Sequence, residues 1–258
     1  VQLWVSGRRL TPKQVKLPSK AARPIPIGGF DHENVRSAAH GLSLNWPIAG
    51  DVIRGQDFDT WIRRSLNDEV ILNNLNKAAG TAQAIQSSPR ADDARLVAKV
   101  IMALDASAPI RHKGFASHID GIGPTLAVVF QDDISRKQVE DLITSGILKQ
   151  WLALQGRVKT ELMNTYGILE KIQPMVALPG PGFGIERCLY ELNPYGHCIS
   201  PMIEHLYITQ SSELIPALEA VAHDENLPPM PIDRHIAAFL ASHSEHIDER
   251  ILRPLTHK

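Results

Sequence analysis

From Asp57 onward, apolar residues recur at three- and four-residue spacing, and that period constrains the fold more than any other feature of the chain. FDTWIRRSLNDEVILNNLNKAAG places Trp61, Ile62, Leu66, Val70 and Leu75 near helical spacing, with Asp57 or Asp59 as the N-cap and Gly80 beyond the end. ADDARLVAKVIMALDA (91–106) predicts a second helix with Leu96, Val97, Val100, Ile101 and Leu104 on one face. Asp92 and Asp93 fall in its first turn, where the helix dipole favours negative charge. A helix starting at Ser135, with Ser135 and Gln138 at capping-box spacing, extends to about Leu154 and offers Val139, Leu142, Ile143, Leu148, Trp151 and Leu152 for burial. Further helices are predicted at about 158–172, 184–192, 200–209, 212–223 and 231–243, with a short one near 246–252. Pro201 and Pro231 sit where first-turn prolines are tolerated. In HIAAFLAS, the small Ala237, Ala238 and Ala241 permit close helix approach around Phe239 and Leu240.

Residues 1–56 read differently. Pro12, Pro18, Pro24, Pro26 and Pro47 each remove a backbone donor and bias the preceding residue away from helix. The expectation is an extended, proline-rich arm laid over a body or a partner, with a short strand at Gln2–Val5. Leu3, Trp4, Val5, Ile27, Phe30, Leu44, Trp46 and Ile48 make it too apolar for a free tail. Residues 107–130 also break the helical period. Gly114, Gly121, Gly123 and two prolines read as a loop feeding one buried strand, Thr125–Phe130, paired with Pro109–Arg111 or with the N-terminal strand. The fold class is therefore mainly α: a multi-helix body over 57–258, a sub-boundary near 107–134, and a few short strands in the N-terminal half.

The net charge of −1 over 258 residues conceals an asymmetry. Arg8, Arg9, Lys13, Lys16, Lys20 and Arg23 precede the first acidic residue, Asp31. A basic arm on an acidic body can dock on its own surface, on a neighbouring subunit or on a polyanion. Nucleic acid is the less supported partner, because no aromatic residues interleave with these charges. No run approaches the roughly 18 consecutive apolar residues of a spanning helix. VQLWVSGRRL lacks a secretory apolar stretch, so the expectation is a cytoplasmic chain with reduced thiols.

Chemistry concentrates in Leu178–Pro201. Gly180, Gly182 and Gly184 precede a helix, and Arg187 in its first turn can face a bound anion. The spacing matches no nucleotide fingerprint, and Pro179 and Pro181 lack donors that a phosphate cradle uses. The structural alternative is a tight connection between packed helices. Cys188, His197, Cys198 and His205 lack the paired spacing of a zinc site, so no metal and no cofactor is expected. His197 beside Cys198 is a weak dyad, because adjacent side chains on an extended segment point apart. His118 and Asp120 can act as a base and its orienter, or as metal ligands with His112, although Asp120-Gly121 is also a common turn. Two functional classes remain. The first is a non-enzymatic helical subunit or adaptor that docks on a protein partner, or on further copies of itself, through the basic arm, with Trp4 and Trp46 as anchors. The second is an enzyme or a small-molecule or anion binder, with its site built from loops 114–124 and 179–198.

Overall fold

The computed structural model describes residues 17–156, 158–222 and 232–243. Arm residues 20–23 lie on the body. The Ala21 N–H donates to the Glu33 carbonyl and the Ala22 N–H to the Ser65 carbonyl. The Trp61 indole donates to the Arg23 carbonyl at 2.9 Å. β1 (Ile25–Ile27) and β2 (Phe30–His32) form an antiparallel hairpin over Gly28–Gly29. Ile25 and Ile27 are buried together, as the two-residue period requires.

α1 (Val35–Leu44) and α2 (Trp46–Arg54) come next, and they correct the extended reading of the arm over residues 35–54. Asn34 starts α1 by accepting the Arg36 and Ser37 N–H groups, so two otherwise orphaned donors are satisfied. Pro47, one basis of the extended reading, sits in the first turn of α2, where no intrahelical donor is needed. Trp46 is not an exposed anchor. It is half-buried, packs against both apolar clusters described below and meets His112 edge-on at 6.1 Å.

α3 (Gln56–Thr60), a π-helical turn (Trp61–Leu66) and α4 (Glu69–Ala79) replace the single helix expected over 57–79. Asn67 turns left-handed at φ 48, and the Asp68 carboxylate then accepts the Val70 and Ile71 N–H groups. A side-chain cap competes with continuation, so the second helix starts in a new phase. Trp61, Ile62, Leu66 and Leu75 remain buried, whereas Val70 is exposed.

α5 (Ala82–Gln86) leads to α6 (Asp93–Leu104), the central helix. Leu96, Val97, Val100, Ile101 and Leu104 are all buried as their spacing predicts. β3 (Ile110–His112) and β4 (Phe115–Ser117) form a second hairpin. The segment read as strand Thr125–Phe130 is instead helix α7 (Ile122–Val129). Ile122, Leu126 and Phe130 are buried four residues apart while Val128 points to solvent, which is helical periodicity. Pro124 is tolerated because it lies in the first turn.

α8 (Asp133–Thr144) and α9 (Ile147–Leu154) divide the helix expected over 135–154, with left-handed Gly146 between them. Its cap is Asp132, which accepts the Ser135 N–H, rather than Ser135 itself. α10 (Thr160–Ile172) and α11 (Ile185–Leu192) follow as expected. Residues 200–209 are turns with one short 3-10 segment, not the expected helix. There the Cys198 N–H donates to the Ile208 carbonyl and closes a loop. α12 (Ser211–Val221) and α13 (Arg234–His243) complete the described fold. The expected segments Gln2–Val5 and 246–252 lie outside the described residues.

Two apolar clusters organise these elements. One draws on residues 21–104 and the other mostly on 98–239. α6 supplies Leu96, Val97 and Ile101 to the first, and Ala98 and Met102 to the second. Each fully buried Leu or Ile contributes about 1.5–3 kcal/mol relative to exposure. α6 thus joins the two clusters, with Trp46 and Leu154 packed against both.

Candidate functional site

The glycine-rich stretch forms a joint rather than an anion cradle. Gly184, at φ 84, begins α11, and a Cβ there would lie 2.6 Å from the Arg234 guanidinium and 2.7 Å from Glu186 Oε2. That space admits a bidentate pair in which Arg234 Nε and Nη2 donate to Glu186 at 2.9 and 3.0 Å, tying α13 to α11. Burial is the largest single influence on Glu186 and opposes its ionisation, but the Arg234 hydrogen bonds, a backbone N–H and the charge of Arg234 together outweigh it and hold the carboxyl below its usual range. A carboxylate therefore already occupies the positive end of α11. Arg187 points along the helix and donates to Glu191 Oε1 from Nε at 2.9 Å and Nη2 at 2.6 Å. Gly180, Gly182, Gly184 and Arg187 thus present no free positive charge to an anion.

Behind this joint lies a buried polar network. The Tyr190 hydroxyl accepts the Ile199 N–H at 3.2 Å, and it sits 3.1 Å from His235 Nδ1 and 3.9 Å from Cys198 Sγ. Ser200 is fully buried and donates to Asp233 at 2.6 Å, while Asp233 also caps α13 through the Ile236 N–H. Burial pushes the Cys188 thiol up to about 12 and raises that of Cys198. His197 does not pair with Cys198, because it stacks on Tyr207 at 4.3 Å. Neither thiol is an activated nucleophile. Both are expected to resist a water-soluble thiol reagent at pH 8 in the folded protein and to react fully in denaturant. Rapid native labelling of either cysteine contradicts this burial. Among the described residues no group of three or more His, Cys, Asp or Glu is arranged to hold a metal.

His118 and Asp120 are exposed on the 3-10 turn Ile119–Gly121, with no hydrogen bond between their side chains. This loop reaches the C-terminal end of α11. The Asn193 amide donates to the Gly123 carbonyl at 2.9 Å, and a Cβ on Gly123 would lie 2.8 Å from the Leu192 backbone oxygen. The Gly180–Gly184 loop meets the opposite end of the same eight-residue helix, about 12 Å away at 1.5 Å per residue. The two loops therefore share a helix but not a cleft. Of the basic arm residues, Arg8, Arg9, Lys13 and Lys16 lie outside the described residues. Lys20 pairs with Glu33 at 2.9 Å on the protein's own surface, and Arg23 is exposed.

The roomier opening lies elsewhere. An open cleft between the start of α6, the β3–β4 turn and α8 is lined by Asp92, Arg95, His112, Lys113, Asp141 and Ser145. His112 is 3% exposed, and its buried Nδ1 has no hydrogen-bond partner. Leaving such a nitrogen unpaired costs about 1–3 kcal/mol. Burial, followed by the charge of Lys113, pushes the imidazole down to about 4; Asp141 opposes that shift and Arg95 adds to it. The sequence signal was slight: Ile110 and His112 alternate toward the core along a three-residue strand. No family model matches the chain, and neither a curated protein nor a solved structure matches it.

Proposed function

We propose that this protein is a non-enzymatic helical subunit or adaptor of a larger assembly, docking on a protein partner or on further copies of itself through its N-terminal region. The observation that supports this reading is an apolar set at the base of the arm. Phe30, Leu44 and Ile48 are 74%, 70% and 46% exposed, around the place where Gly28 abuts the Asn45 side chain. Large exposed apolar groups near a basic segment fit a docking surface better than a site for small-molecule chemistry. The thiols, Arg187 and the Tyr190 network are all engaged in packing, which leaves them structural roles. Among the described residues no helix is long and apolar enough to cross a membrane.

The test is a native mass spectrum of the full chain purified from its own cells. It is compared with a chain lacking residues 1–16 and with a Phe30→Ser/Leu44→Ser double variant. The truncation stops short of Ile25 and Ile27, which belong to the core. Complexes of the full chain are expected to fall at least about tenfold in both variants, a loss of roughly 1.4 kcal/mol, with unchanged thermal melting. A full chain that is monomeric and partnerless, or variants that assemble like the parent, would falsify the reading.

A further inference from the structure

The cleft beside His112 combines features that its packing role does not require. Lys113 occupies the corner of the β3–β4 hairpin at φ 51, a conformation uncommon for a long side chain. Its ammonium is held there by an ion pair with Asp141 on α8. Arg95, in the first turn of α6, is exposed and has no carboxylate within 4 Å among the described residues. Asp92, the N-cap of α6, makes no side-chain cap hydrogen bond and leaves its carboxylate at the cleft. Between these groups sits a neutral, buried imidazole without a hydrogen-bond partner on Nδ1.

We propose that this cleft binds a small oxyanion, a phosphate or a carboxylate, between Arg95 and Lys113 and against the His112 imidazole. Arg95 supplies the uncompensated charge and a planar fork of donors suited to such a group. Lys113 adds a second cation, with Asp141 fixing its position rather than cancelling its reach. The ligand meets two opposing charges: Asp92 at the rim and Asp141 behind Lys113. It also places further negative charge beside a ring that Lys113 and Arg95 hold down and Asp141 only partly relieves, so anion binding and protonation of His112 are linked. Each promotes the other.

The experiment follows the His112 ring signal by NMR in the full-length protein, assigned by its loss in His112→Gln. Inorganic phosphate, acetate and sodium chloride are titrated at matched ionic strength. Phosphate or acetate is expected to shift the signal saturably and to raise the imidazole pKa by about one unit, whereas chloride does neither. Whichever of the two binds more tightly identifies the ligand class. Arg95→Gln is expected to weaken binding about tenfold, while Lys77→Gln, on the exposed face of α4, leaves it unchanged. The proposal is overturned if chloride reproduces the shift, if neither oxyanion saturates, or if Arg95→Gln binds like Lys77→Gln.

Discussion

Replacing Phe239 with alanine is expected to cost about 4 kcal/mol of unfolding free energy, the largest effect of a single substitution argued for this chain. Phe239 is 0% exposed and stands at the crossing of α13 with α11. Its ring meets Tyr190 edge-on at 5.3 Å and lies 4.2 Å from the ring of His243. An edge-to-face pair adds about 1 kcal/mol beyond area burial. On α13 the buried residues that share its apolar cluster are Ala238, which has almost no side chain to move, and Ile236, which is already fully buried. Truncation therefore leaves a cavity rather than a collapsed site, and it loosens the Tyr190 hydroxyl that the Ile199 N–H depends on. Urea melts of the parent, Phe239→Ala and Phe239→Leu provide the check. Leucine keeps most of the volume and should cost less than half as much. A loss below about 1 kcal/mol for alanine would mean that α13 is not anchored at this crossing.

The same helix shows which features are legible in sequence. HIAAFLAS displays a large ring among alanines, and the structure uses it as the spacing suggests. α6 is similarly transparent, because its five expected core positions are all buried. Such faces survive translation into three dimensions because the helical period does not depend on what the helix meets. Boundaries are different. They are decided by competition between a side chain and the backbone for the same amide. At Asp68 and Asp132 the carboxylate wins, so one expected helix restarts and another begins before Ser135. Thr125–Phe130 was ambiguous for a related reason. A short apolar run carries no period of its own, and burial of Ile122, Leu126 and Phe130 against neighbouring helices selects the helical form. Pro47 misled in the opposite direction, since a proline reads as a breaker unless the helix start just before it is known.

The site was less legible than the fold. Glycines at 180, 182 and 184 suggested an anion cradle, yet Glu186, two residues beyond Gly184, is the carboxylate that fills it. Arg187 reads as a plausible anchor, but Glu191, one turn along, takes its Nε and Nη2 donors. These partners are local and visible in the sequence, but their geometry is not. His112 is the converse case. Nothing in IRHKG distinguishes a functional histidine from a buried one. Arg95 and Asp141 join it only because the β3–β4 hairpin packs between α6 and α8.

Acid is expected to destabilise the protein through that same histidine. The imidazole titrates near 4 in the fold and near 6.5 when unfolded. Between those values the unfolded chain binds the extra proton. Stability is therefore complete above about pH 6.5, declines as pH falls toward 4, and gains no further loss from this group below that. The slope reaches at most about 1.4 kcal/mol per pH unit, so the total is on the order of 3 kcal/mol. Glu186, with its carboxyl held low by Arg234, adds acid sensitivity that begins only in the carboxylate range. Comparing the parent with His112→Gln separates the two, because both proteins keep Glu186. Urea midpoints at pH 7.0, 5.5 and 4.5 should show the parent losing stability faster, with the difference between the proteins swinging by about 2 kcal/mol toward the variant. Parallel curves would place the proton elsewhere, since a glutamine at 112 removes the titration but not the cleft. Saturating phosphate, by lifting the folded pKa of His112, should flatten the parent's slope and leave the variant's unchanged.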